Sequence, residues 1–125
     1  PVYVATRVAE LLNENSTALK GAKVLLLGVT YKKDIADQRE SPAVPLAKEL
    51  ARRGAQVSYI DPYVETWNYD GNELASEKDW EAAIKSSDAV VLLQHHKEFD
   101  VDAISSISSA FLDTTGTVSD ARNRL

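Results

Sequence analysis

The chain contains no cysteine among its 125 residues. That excludes a disulfide framework, a thiolate metal site and a cysteine nucleophile. It contains no methionine either, so it is expected to be a processed protein or a piece of a longer one. Positive charge is in the minority, with 14 Lys and Arg against 19 Asp and Glu and a net charge of −5. A general nucleic-acid binder needs a basic face to displace counterions, so that class is disfavoured. One small phosphorylated ligand stays compatible, because Lys32, Lys33 and Arg39 form a local basic cluster. No apolar run approaches the roughly 20 residues that cross a bilayer. The longest, 24–27 and 89–93, have the length of strands. No basic-then-apolar leader opens the chain, and a cytoplasmic protein without a membrane partner is expected. Glycine is scarce where it matters: the stretch 25–44, LLLGVTYKKDIADQRESPAV, has Gly28 alone.

What is present is ordinary for one globular domain with a real core, 44% hydrophobic and 26% charged. Residues 2–14 carry Val4, Val8, Leu11 and Leu12 at helical spacing. A strand is expected at 23–27, and a helix after Ser41 as cap with Pro42 in its first turn. The stripe Val44, Ala47, Leu50 and Ala51 continues that helix to Gly54. Pro45 removes the first intrahelical bond if Ser41 is the cap, so the first turn is expected to be distorted. Strands are expected at 56–60, 89–93 and 110–112, and helices at 77–85 and from Val101 to Ile107. Residues 65–73 read as an irregular connection or a small hairpin with Asp70-Gly71 as its turn. The tail from Thr114 is polar. Strands alternating with helices predict an α/β, Rossmann-like three-layer domain. Its sheet should be mainly parallel, with four to five strands, preceded by an N-terminal helix.

In such sheets ligands lie beyond the carboxyl ends of the strands, at the switch in strand order. Four segments should meet there: 28–40, Asp61-Pro62, 94–97 and 113–116. The dinucleotide fingerprint needs three glycines in six residues, and Val29, Thr30 and Tyr31 stand in their way. Asp61 follows Gly28 by 33 positions, where that motif places a ribose-binding acid about 20 on. An Asp-Pro at a strand end is more often a turn. A loop without glycines must hold phosphate by side chains: Lys32 or Lys33 as a point charge, Arg39 as a planar fork, Tyr31 by stacking. The competing reading is a solvated loop in which Lys33 pairs with Asp34, and Arg39 with Asp37 or Glu40. His95 and His96 point opposite ways at a strand end and have no partners for a metal, so one of them is a candidate pocket-wall or capping residue.

The string G-x-x-Y-K-x-D-x-x-D-x-R-E-S-P from Gly28 to Pro42, then Asp61-Pro62-Tyr63 and SDAVVLLQHHKEF at 87–99, resembles the C-terminal domain of the UDP-glucose/GDP-mannose dehydrogenase family. The opening PVYVATRVAELLNE resembles the stretch that leads into that domain, and the nearest likeness is to bacterial UDP-N-acetyl-hexosamine and UDP-glucose 6-dehydrogenases. Members oxidise the C6 alcohol of a nucleotide sugar to a carboxylate with two NAD⁺. They carry an N-terminal NAD domain, a central helical dimerisation domain and this third domain, which closes over the nucleotide sugar.

The resemblance implies that residues 1–19 are the helix leading from the central domain and 20–125 the nucleotide-sugar-binding domain. It implies a UDP-sugar as ligand, NAD held mainly by the absent N-terminal domain, and a homo-oligomer in the full enzyme. It assigns Tyr31 and Lys32 to substrate and Arg39 to NAD, and leaves Lys33 on the surface. The family's terminal Asp-Thr-Arg or Asp-Gly-Arg arginine matches Thr115 if Asp113-Thr114 is aligned, or Arg122 if Asp120-Ala121-Arg122 is; both alignments stand, with Arg122 as the substrate-binding candidate. Lacking the catalytic cysteine, the chain alone should not oxidise substrate. A stand-alone nucleotide-binding module and a subunit-contact module remain the alternatives.

Overall fold

The computed structural model of the chain describes residues 2–30 and 41–115. Helix α1, Val2–Glu14, buries Ala5, Val8, Leu11 and Leu12, so its apolar stripe faces the core as the spacing predicts. Strand β1, Lys23–Leu27, is buried from Val24 onward on both faces. Helix α2 spans Ala43–Arg52. Its first turn shows the effect of Pro45. The cap position falls on Pro42 rather than on Ser41, with no side-chain cap bond there, and the Ser41 hydroxyl just before it accepts from the Ala43 N–H at 3.1 Å. The first backbone bond is the one from Leu46 to Pro42, at 3.3 Å, because Pro45 has no N–H to give Ser41.

Strand β2, Gln56–Ile60, is followed by β3, Thr66–Tyr69, and β4, Asn72–Ala75. These last two form an antiparallel hairpin rather than an irregular connection. Asp70 and Gly71 both take positive φ, 48° and 80°, the two-residue turn whose twist matches the strands it joins. Trp67 and Tyr69 of the hairpin are buried beside Tyr59, with ring centroids 5.3 Å apart for Tyr59–Trp67 and 5.1 Å for Trp67–Tyr69.

Helix α3 spans Trp80–Ser86. It starts three residues later than its periodicity suggests. The Glu77 N–H donates to the Tyr59 carbonyl at 3.0 Å, which holds that stretch against β2, and Asp79 caps the helix through the Ala82 N–H. Strand β5 is Ala89–Leu92, helix α4 Val101–Ile107 with Asp100 as its cap, and β6 Phe111–Asp113, one residue beyond the expected strand.

The main sheet has the order β2-β1-β5-β6, and all its pairs are parallel. Alternation sorts its side chains into two layers. Val24, Leu26, Val91 and Leu112 pack against α1, α2 and the hairpin, while Leu25, Leu27, Val90, Leu92 and Phe111 pack against α3 and α4. This is the expected Rossmann-like three-layer α/β architecture. Strand order reverses between β1 and β5, so the crevice beyond their carboxyl ends is where such sheets take ligands. Among the described residues no helix is long and apolar enough to cross a membrane.

Candidate functional site

The carboxyl edge is built around Gly28. Its φ is 85°, a conformation that costs a residue with a Cβ about 1–2 kcal/mol. A Cβ there would also lie 2.7 Å from Gln94 Cβ and 2.8 Å from the Gln94 carbonyl oxygen. The glycine therefore lets the ends of β1 and β5 approach. Its own N–H donates to the Ile60 carbonyl at 3.0 Å, which ties it to β2 as well.

The next residues converge on Asp61. The Val29 N–H donates to Asp61 Oδ2 at 2.7 Å, and the Tyr63 N–H donates to Oδ1 at 2.8 Å. His96 Nε2 lies 3.1 Å from Oδ2 and 3.2 Å from Thr30 Oγ1. Both carboxylate oxygens already accept from backbone, which makes Nε2 the donor to Asp61. Asp61, His96 and Thr30 are 2%, 0% and 1% exposed, so the carboxylate is out of water and held by charge-assisted hydrogen bonds. One side chain thus joins the segments after β1, β2 and β5. Tyr63 closes over the cluster, its ring 4.7 Å from that of His96 and its hydroxyl donating to Glu98 Oε2 at 2.7 Å. On the other side the Phe99 N–H donates to the His96 carbonyl at 3.0 Å. Below the cluster, burial first, then the charges of Asp61 and Glu65, push the Tyr59 hydroxyl up to about 12.

The segment after β6 is tied in separately. Thr114 Oγ1 donates to the Leu92 carbonyl at 2.7 Å. Buried Asp113 accepts from the Thr115 N–H at 2.7 Å and from its hydroxyl at 2.6 Å, so Thr115 folds back on the strand end.

Sequence expectations meet this geometry unevenly. Tyr31, Lys32, Lys33, Arg39 and Arg122, with most of the tail, lie outside the described residues. Asp61 sits at the strand end as a buried turn residue with both oxygens committed, which is the turn reading rather than an open ribose ligand. His96 lines the interior of the edge while His95 is half-buried; among the described residues no group of three metal-binding side chains occurs. The described residues do not fit a dinucleotide. The one glycine after β1 is filled against Gln94, and the Val29 N–H that could meet a pyrophosphate is taken by Asp61. The union of Thr30, Asp61 and His96 is not legible from their separate positions. The available signal was that each follows a strand end, and only the order β2-β1-β5 makes those ends neighbours.

Residues 25–125 match the model of the UDP-glucose/GDP-mannose dehydrogenase family, UDP binding domain. The chain belongs to this family. The UDP-N-acetyl-D-mannosamine dehydrogenase of Methanococcus aeolicus is 35% identical over 99 residues, which are 79% of this chain and 21% of that protein. The NDP-N-acetyl-D-galactosaminuronic acid dehydrogenase of Methanosarcina mazei superposes with a TM-score of 0.70 at 28% identity, covering 90% of this chain and 23% of that one. The UDP-N-acetyl-mannosamine dehydrogenase of Staphylococcus aureus does so with a TM-score of 0.69 at 29% identity, covering 100% of this chain and 29% of that one. The chain thus spans between a fifth and a third of the length of these dehydrogenases and corresponds to the family's UDP-binding domain.

Proposed function

We propose that this chain is the C-terminal substrate-binding domain of an NAD-dependent nucleotide-sugar 6-dehydrogenase, one that oxidises the C6 alcohol of a UDP-hexose to the uronic acid. The observation that carries the reading is the family match across 25–125, which includes the whole carboxyl edge around Gly28, Asp61 and His96. In this reading residues 20–125 form one wall of a cleft and residues 1–19 connect to a central dimerising domain. Helix α1 supports the connection: it packs into the core yet leaves Val2 and Tyr3, 58% and 65% exposed, as apolar surface at its start. NAD would be held by another domain, in keeping with the absence of a glycine cradle among the described residues. Such an enzyme works on cytoplasmic nucleotide sugars in polysaccharide biosynthesis.

The chemistry assigned to this chain is binding. A diphosphate carries about two negative charges, and a lysine or arginine in a partly dry cleft offsets them more strongly than in water. Tyr31 and Lys32, with Arg122, are the proposed contacts to the nucleotide sugar, and Arg39 the proposed contact to NAD. The test is an NMR titration of the 125-residue chain with UDP, with GDP and inorganic phosphate as comparisons. Expected are saturable shifts of the Val29, Thr30 and Gln94 amides with UDP, at weak affinity because half of the cleft is absent. No saturable shift with millimolar UDP would overturn the reading.

A further inference from the structure

We infer that Asp61 and His96 are positioning residues for the ligand-binding edge, a role that rests on the proposed UDP-binding function. Neither is open to a ligand: they are 2% and 0% exposed. Their bonds run to the backbone and side chains that lead to the rim. Oδ2 of Asp61 takes the Val29 N–H at 2.7 Å, and His96 Nε2 spans from that oxygen to the Thr30 hydroxyl at 3.2 Å. Val29 and Thr30 are the two residues that precede the Tyr31-Lys32 pair in sequence. On the other side His96 is anchored through the Phe99 N–H, and Asp61 through the Tyr63 N–H and Ser76 Oγ, which accepts from the Asp61 N–H at 3.0 Å.

The arrangement has more polar bonds than a turn needs. An Asp-Pro turn is satisfied by the Tyr63 N–H alone. The second oxygen reaches across β1 to fix the exit of its chain, and a buried imidazole doubles the tie. A polar network of this kind costs desolvation of a carboxylate and an imidazole, and apolar side chains of similar volume would fill the same space. What it fixes is the direction in which the chain leaves β1 relative to the segments after β2 and β5. A ligand bridging those segments would then find them already placed and would lose less entropy on binding.

His96→Gln keeps an N–H donor near the Nε2 position; His96→Leu removes it at similar bulk; Thr30→Val removes only the hydroxyl. Each is compared with the unaltered 125-residue chain by UDP titration in NMR, well below its melting temperature, together with amide exchange at Val29 and Thr30. Expected is roughly tenfold weaker UDP binding for His96→Leu, equivalent to about 1.4 kcal/mol, with His96→Gln close to the parent and Thr30→Val about threefold weaker. Faster exchange at Val29 and Thr30 should accompany the loss. His96→Leu binding UDP as tightly as the parent overturns the inference while leaving UDP binding intact. If His96→Leu does not fold, Thr30→Val with parental affinity overturns it instead. Failure of the parent itself to bind UDP overturns the functional reading and this inference with it. Equal losses in His96→Gln and His96→Leu would mean that the ring's packing, not its hydrogen bond, matters, and would also overturn it.

Discussion

Replacing Gly28 by alanine tests the account of the loop most directly. Two costs add at that position. The backbone φ of 85° must be kept, because the Gly28 N–H is bonded to the Ile60 carbonyl and the Leu93 N–H to the Leu27 carbonyl on either side. Holding a Cβ in that region costs about 1–2 kcal/mol. The Cβ would then meet Gln94 Cβ at 2.7 Å, its carbonyl oxygen at 2.8 Å and its nitrogen at 3.0 Å. The oxygen and nitrogen are backbone, so no rotamer change relieves the overlap, and forcing atoms into a packed site costs about 1–3 kcal/mol more. The sum is about 2–5 kcal/mol. With an unfolding entropy near 2.1 cal/mol/K per residue over this chain, that is a fall of about 8–19 °C in Tm. Gly21 supplies the control: its φ is also 85° but nothing lies within 4 Å of a Cβ there. Gly21→Ala should cost only the conformational part, about 1–2 kcal/mol and about 4–8 °C. Differential scanning calorimetry of both variants reads the difference. Equal losses would refute the claim that Gly28 is needed for the approach of β1 to β5.

Lys32→Ala should weaken UDP binding by about 10- to 100-fold, the range of a lost charge-assisted hydrogen bond, and in a full-length enzyme should raise KM for the sugar nucleotide more than for NAD; steady-state kinetics with each substrate varied will read the split. Tyr59, pushed up to about 12, should ionise only at strongly alkaline pH in a titration at 295 nm. Because folding raises its value above the usual 10, its contribution is intact below pH 10 and fades as pH rises through about 12; Tyr59→Phe should remove that alkaline component. Hydrogen bonds from Arg52, then Arg53, hold Glu49 at about 2, below its ordinary 4.5. Its stabilisation is therefore present above pH 4.5 and lost as pH falls through about 2, so urea midpoints of Glu49→Gln and the parent should differ at pH 6 and converge near pH 2, and added salt should narrow the gap at pH 6.

Periodicity carried most of the fold because its strands and helices are locally consistent. The run 24–27 has the length of a strand and is buried on both faces, and the stripe of α1 has helical spacing and is packed on one. The misplaced start of α3 has a nonlocal and a capping cause. Helix α3 starts at Trp80 because Glu77 is bonded to a neighbouring strand, which no window of sequence contains. The hairpin was half legible, since Asp70-Gly71 signals a turn but its pairing needs Trp67 to find Tyr59. The site divides the same way. Asp61-Pro62 reads correctly as a turn, but the sequence does not choose between His95 and His96, and the contact of His96 with Asp61 depends on strand order, which local pattern does not encode.

The buried carboxylate also bears on why the loop after β1 has so few glycines. A glycine-rich turn binds phosphate because its amides point outward, unpaired, at a helix N-terminus. Here the first amide after Gly28 points inward and is neutralised by Asp61. Backbone binding of an anion at Val29 is therefore closed by the missing donor. An anionic ligand at this edge would have to be held by cations carried on side chains. Lys32 and Arg39, the proposed contacts to the nucleotide sugar and to NAD, are candidates of that kind. On the proposed function, using the strand-end amide to hold the sheet edge together leaves anion binding to side chains.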